Sequence, residues 1–520
     1  MKLLSCKDAE KSNNEPSDLT HPGQHVVKAV WTLLILIVVS FVMLWLGDKL
    51  NAAGMAATRF MARGQAPLTA QFVYPNASRE QITVVMYDRE FLDNTGSAWP
   101  LSYREHADTL MRLVSAPSGR PKAIFLDITF GQERDDPSVH ILQETLCKIS
   151  NDYKVPVFLA GLPSQQTRGL TIRSGLIEKP SRGKRCFTLV GVDYVPDPID
   201  GVAWSYQLTR HLGDAGWVSG PPNSGEDQPS YRSAAMAMAQ DVAQIDLGEE
   251  RTPMAMVWGH NSAPQEHRPA ILSNCRPGTP EYMSLIPGLL RQVWEGEQLP
   301  LCPYHQTLSL DQINNLDEAE IASYIHNKYI MIGGQVPGHN DFANSPVHGI
   351  TPGVHMHAMA LDNLLTYKSD YKLSAEWTLP PSWQLLRPGL IVIFVVFLMH
   401  LGLQAARESS FIKCVKSRVW SRVSRANDLF KWARDRPYIS GTMKLTFESA
   451  EWIIDILLKA MAAMIAIAIL QCTFRVGMLP VVELVGMTLL AEGLGYVRKL
   501  KEYYVSPNRV SHFRFESAMK

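Results

Sequence analysis

Ala29–Gly47, AVWTLLILIVVSFVMLWLG, runs for 19 residues without a charge. A helix of that length crosses a hydrocarbon layer of about 30 Å, so the fold is tied to a membrane near its start. A secretory signal is the competing reading, because the small residues of 51–57 offer a cleavage site. The run is longer than a signal core and follows a polar leader, residues 1–28, which favours an uncleaved anchor.

Three further runs have the same character: Pro388–Ala406, preceded by Trp383 and Arg387 as interface anchors, Trp452–Cys472 and Val476–Val497. The last two are joined by a few residues and are expected as antiparallel neighbours. Between the second and third, residues 407–450 carry ten Lys/Arg against four Asp/Glu, and Arg498, Lys499 and Lys501 open the tail 498–520. The positive-inside rule then puts that loop and both termini in the cytoplasm. Residues 48–387 fall outside, in the periplasm of a Gram-negative host, with the chain in its inner (plasma) membrane.

With 50 basic and 50 acidic residues the formal charge is zero, and no global basic field argues for nucleic acid. Four cysteines, Cys147, Cys186, Cys275 and Cys302, lie in the exported region. An even number there permits two disulfides, and sequence order suggests Cys147 with Cys186 and Cys275 with Cys302. Three connectivities are possible, and buried free thiols are a further alternative. No spacing suggests zinc.

The exported region alternates strands and helices, which predicts an α/β fold with a mainly parallel sheet, plus four transmembrane helices, one before the domain and three after. Ile82–Tyr87 reads as a strand closing on Asp88, and Ala123–Leu126 as a strand closing on Asp127; a helix with Ala107, Leu110, Met111 and Val114 inside connects them. Two such parallel strands would put both carboxylates on one sheet edge. Further strands are expected at 155–160, 187–192, 202–207 and 254–258, and helices at 138–149, 233–245 and 319–326. Residues 211–231 are expected as an exposed loop, and 260–300 as irregular. The organising stretch is 328–366, in which Tyr329–Ile332 is a doubly buried strand stopped by Gly333-Gly334. A polar loop with His339, Asn340, Asp341 and His348 follows, then a helix from about His355.

Asp88, the Trp99-Pro100-Leu-Ser-Tyr-Arg104 turn, Ile124-Phe-Leu-Asp127, Asp200-Gly201-Val202, Ile332-Gly-Gly334, Asp341 with Pro346, and Pro352-Gly353-Val-His355-Met-His357-Ala358 together resemble the type-2 CHASE domain. That name denotes cyclase- and histidine-kinase-associated sensory extracellular domains. The likeness covers roughly residues 50–385. It implies one span before the domain, three after it, and sensing without a named signal. Relatives usually continue into a cytoplasmic cyclase, kinase or phosphatase, whereas only 23 residues follow Val497 here, too few for such a domain.

Asp88, Arg104, Asp127, Asp341, His355 and His357 are the candidate ligand-binding residues. Asp88, Asp127 and Arg104 fit capping and mutual pairing at least as well. His355 and His357 in an extended segment would share a face, with Asp341 nearby, as a divalent metal would want; a helix-start histidine satisfying backbone groups is the simpler reading, and no metal or other cofactor is expected. Nothing resembles a nucleophile or phosphate loop, so no catalytic residue and no enzyme is expected.

In the cytoplasmic loop Ile412, Val415, Val419, Val423, Ala426 and Phe430 recur at helical spacing beside Lys416, Arg418, Arg422 and Arg425. That basic amphipathic helix suits anionic headgroups or a partner protein equally. Glu483, two turns into the fourth span, is a candidate for an interhelical or intersubunit contact, which leaves a homo-oligomer open. The expected function is a membrane sensing subunit that relays an extracytoplasmic signal to a separate protein. The alternative is a structural or assembly subunit of an envelope complex.

Overall fold

The computed structural model describes residues 73–373 except 116–118, 165–168, 181–182, 212–229, 249–252, 264–274, 276–300 and 337–340, together with 59, 62–63, 66–67, 69–71, 471, 475 and 477. The chain divides into two compact units, and these residues belong to the one formed by Arg59–Pro380 and Gln471–Leu479. Among the described residues no helix is long and apolar enough to cross a membrane. The four predicted spans lie outside them except for Gln471 and Gly477, as do Lys416, Arg418, Arg422, Arg425 and Glu483.

The central sheet begins with β1 (Ile82–Asp88), β2 (Ala123–Leu126), β3 (Val157–Ser164), β4 (Gly169–Thr171) and β5 (Thr188–Gly191). Short strands follow: β6 (Ser205–Tyr206), β7 (Thr209–His211), β8 (Ser230–Arg232) and β9 (Met254–Ala255). The series closes with β10 (Gln306–Ser309), β11 (Tyr329–Gln335), β12 (Phe342–Ser345) and β13 (Gly349–Pro352). The helices are α1 (Arg89–Thr95), α2 (Tyr103–Val114), α3 (Val139–Lys148), α4 (Ala234–Asp241), α5 (Leu310–Asn315), α6 (Glu318–Ile325) and α7 (Gly353–Tyr367).

Strand order in the main sheet is β10-β1-β11-β2-β3, with β5 parallel to β3 and β4 folded back antiparallel on it. The fold is thus a mixed α/β one with a largely parallel sheet. Burial explains why its strands read as unbroken apolar runs. Val85, Tyr87, Ile124, Leu126, Ile330 and Ile332 pack under α1, α2, α3, α5 and α6. Val84, Met86, Phe125, Tyr329 and Met331 face the opposite layer with α4 and α7. With helices on both faces neither side of a strand stays polar.

β11, the last long strand in sequence, sits between β1 and β2 and pairs with both in parallel register. Asp88 lies level with Gln335, and the Asp127 amide donates to Ile332 O at 2.7 Å. Both acids therefore end their strands on one edge, two strand spacings or about 10 Å apart. Gly333 is required at that edge, because a Cβ there would lie 2.6 Å from Val354 and push α7 off the sheet.

Three expectations change. The stretch expected as a polar loop before α7 contains the hairpin β12–β13, and α7 starts at Gly353. The expected loop 211–231 is flanked by the antiparallel pair β7–β8. The run 254–258 and the run 202–207 shorten to two residues each, paired as β6–β9. Cys147 is joined to Cys186 and Cys275 to Cys302.

Candidate functional site

Side chains alternate along β2, so Asp127 points to the same face as Phe125, under α7. There it meets His357, whose Nε2 is 3.8 Å from Asp127 Oδ2 and whose ring packs edge-on against Phe125 at 5.5 Å. The Tyr206 hydroxyl is 2.8 Å from His357 Nδ1. Burial raises the Tyr206 pKa, so the phenol keeps its proton and donates; a neutral imidazole then carries its proton on Nε2, facing the carboxyl. Burial holds His357 down at about 4.

Asp341 completes the cluster from the other side of the α7 terminus. Its carbonyl accepts from the Gly353 amide at 3.0 Å, and a Cβ on Gly353 would lie 2.3 Å from Asp341 Oδ1. Gly353 is thus the residue that lets a carboxylate reach the first turn of a helix whose N-cap, Pro352, supplies no side-chain bond. The positive end of the helix dipole favours an anion there. Burial, and after it the Asp341 charge, raises the Asp127 pKa well above its ordinary value. Asp127 Oδ2 is buried and makes no hydrogen bond. An unpaired buried polar atom costs about 1–3 kcal/mol, which an incoming hydrogen-bonding group would recover.

The remaining candidates go elsewhere. Asp88 caps α1, accepting from the Phe91 amide at 2.9 Å, and burial raises its pKa in spite of that bond. Arg104 is exposed on the first turn of α2, beside the capping box of Ser102 and Glu105, and among the described residues no ion pair ties it to Asp88 or Asp127. His355 does not share a face with His357. Both lie on α7, where a step of two residues turns about 200°. His355 is buried with no hydrogen bond to either ring nitrogen, and burial, then His305 and His348, lowers its pKa to about 3. His348 donates to Gly259 O at 2.8 Å and is held at about 4 by burial. Among the described residues no three His, Cys, Asp or Glu side chains are placed to hold a metal ion.

Farther along α7 is a network that sequence reasoning missed. Asp362 accepts from the Tyr74 hydroxyl and pairs with His305 Nε2 at 3.0 Å, while Asn363 bonds Val257 on both its amide and its carbonyl. The available signal was Asp362-Asn363 inside the apolar run Met356–Leu365.

A family model for the CHASE2 domain matches residues 32–401, from within the first membrane-like run to within the second. The chain belongs to the CHASE2 domain family. This is a family of extracellular sensory domains, which supports a sensing role for the α/β unit. No curated protein and no solved structure matches the chain.

Proposed function

We propose that this CHASE2 protein is a non-catalytic sensing subunit of the inner membrane, anchored by its four apolar runs, which receives an extracytoplasmic signal at the carboxyl edge of its sheet and relays it to a separate cytoplasmic protein. The observation that carries the reading is Asp127 Oδ2, buried without a hydrogen bond between His357 and Asp341. Ligands of open α/β sheets bind at that edge, and the bound group best suited to it brings a hydrogen-bonding partner for Asp127. The basic segment Lys416–Arg425 supports docking of the partner through a charged amphipathic helix.

Two experiments test this. A reporter active only outside the cytoplasm, fused after residue 200, is expected to be active; activity of a cytosolic reporter there would sink the topology. Full-length protein purified in mild detergent is expected to bring down a cytoplasmic protein that deletion of residues 411–431 releases. Retention of every contact after that deletion removes the relay, and recovery of assembly components alone favours the scaffold alternative.

A further inference from the structure

The chain leaves α7 through a short 3-10 turn, Lys368–Asp370, and enters Tyr371-Lys372-Leu373. These residues do not end the sensor unit. Ala255 N donates to Lys372 O at 2.8 Å and Leu373 bridges Met254, so they extend the small β6–β9 sheet by one strand position. On their other side Leu373 N donates to Arg475 O and Gly477 N donates to Leu373 O, both at 2.8 Å. Arg475 and Gly477, which the sequence places where the third and fourth apolar runs meet, are therefore stitched onto the sensor by main-chain bonds.

Side chains reinforce the stitch. Gln471 donates to Gly477 O at 2.7 Å and accepts from the Thr69 hydroxyl at 3.0 Å. The Lys372 ammonium reaches Gln471 O. Arg475 donates to Tyr371 O at 3.3 Å, with its guanidinium 5.2 Å from the centre of the Tyr371 ring. A Cβ on residue 477 would lie 2.2 Å from the Ala255 Cβ, so only glycine closes this edge.

We infer that Gln471, Arg475 and Gly477 form the output latch of the sensor and that α7 is the rod working it. Asp341 and His357 hold the first turns of α7, and Tyr371–Leu373 follow its last. The helix is 15 residues long, about 22 Å, and buried from Gly353 to Leu364, so it moves as one body or not at all. A ligand that favours one setting of the α7 start over another shifts Tyr371–Leu373 and, through the two main-chain bonds, the chain that joins the third and fourth apolar runs. The role of the rod rests on the carboxyl-edge reading above; the latch itself does not.

Hydrogen exchange on the full-length chain in lipid nanodiscs tests both parts, using wild type, Gly477→Val and Asp127→Asn. In wild type the Leu373 and Gly477 amides are expected to be protected together. Exchange at the rate of an unbonded loop overturns the latch without any variant. Gly477→Val is expected to speed exchange at 371–373 on the order of tenfold, the effect of losing about one net hydrogen bond, with β1 and β11 unchanged. No change at 371–373 also overturns the latch. Asp127→Asn is expected to alter exchange at 355–357 and at 371–373 and 477. A change confined to 355–357 overturns the rod while the carboxyl-edge site stands. No change at 355–357 removes that site and the rod with it, and leaves the latch to be judged by the first two results.

Discussion

His305 Nε2 lies 3.0 Å from Asp362 Oδ2, with both side chains sealed from water and the Tyr74 hydroxyl bonded to the other carboxylate oxygen. The pair joins the start of β10, an edge strand, to the middle of α7. Its worth appears when one partner is removed, because the survivor is left buried and uncompensated. Asp362→Ala is expected to cost about 3–5 kcal/mol in chemical denaturation of the full chain. Asp362→Asn, which keeps one acceptor for Tyr74, should cost about 1–3 kcal/mol. Equal and small losses in both would mean that the pair is ornamental.

Acid should loosen this domain. Burial holds His106 and His355 at about 3, and His348 and His357 at about 4, all below the free value of 6.5. Such a group is neutral in both states above pH 6.5 and, as pH falls below that, takes up its proton in the unfolded chain first. Stability is thus full above about 6.5 and is lost toward about 4, at up to about 1.4 kcal/mol per pH unit for each histidine. Asp88 and Asp127, raised instead, oppose the trend by binding protons in the folded state as pH drops. Four groups outweigh two. Denaturation midpoints should fall steadily between about pH 6.5 and 4.5, and a flat profile would contradict the burial of these imidazoles.

Much of this architecture was legible for one physical reason. Strands covered on both faces, β1, β2 and β11, read as continuous apolar runs, and the acids closing β1 and β2 marked the edge that carries the candidate site. β10 was not legible. Three of its four letters, Gln306, Thr307 and Ser309, are polar although every residue is buried, because its neighbours rather than its composition decide burial. The two helices that follow it start on capping boxes, Ser309 with Gln312 and Asp317 with Glu320; only the second helix was expected, at 319–326, and the short first one was not. His305 and Asp362 are 57 residues apart, so only the tertiary fold could pair them. Reading His355 and His357 as an extended pair failed because both lie within α7, where two residues apart means opposite faces.

The two disulfides close loops of 39 and 27 residues. In the chain-entropy account each restricts the unfolded state by about 3–4 kcal/mol. Reduction, or the double substitution of Cys147 and Cys186 by Ala, is therefore expected to lower the denaturation midpoint clearly. Thiol labelling of the unreduced, denatured chain should leave Cys147, Cys186, Cys275 and Cys302 unmodified. Labelling of all four would show free thiols and remove the effect.

Asp341 and Asp127 share one low-dielectric edge, and the sharing can be measured. Burial is the larger cause of the high Asp127 pKa, and the charge of Asp341 adds to it. Asp341→Asn removes that charge yet keeps a planar group of the same shape against Gly353, where no Cβ blocks it. The Asp127 pKa is then expected to fall but to stay above 3.8, since the burial remains, and carboxyl carbon NMR titration of the two proteins reads both signs. Folding should follow by linkage. A raised acid contributes stability that is present at low pH and lost as pH rises through its folded value, so lowering that value makes the variant comparatively more stable near neutral pH. An Asp127 titration indifferent to residue 341 would separate the two carboxyls and dissolve the candidate site.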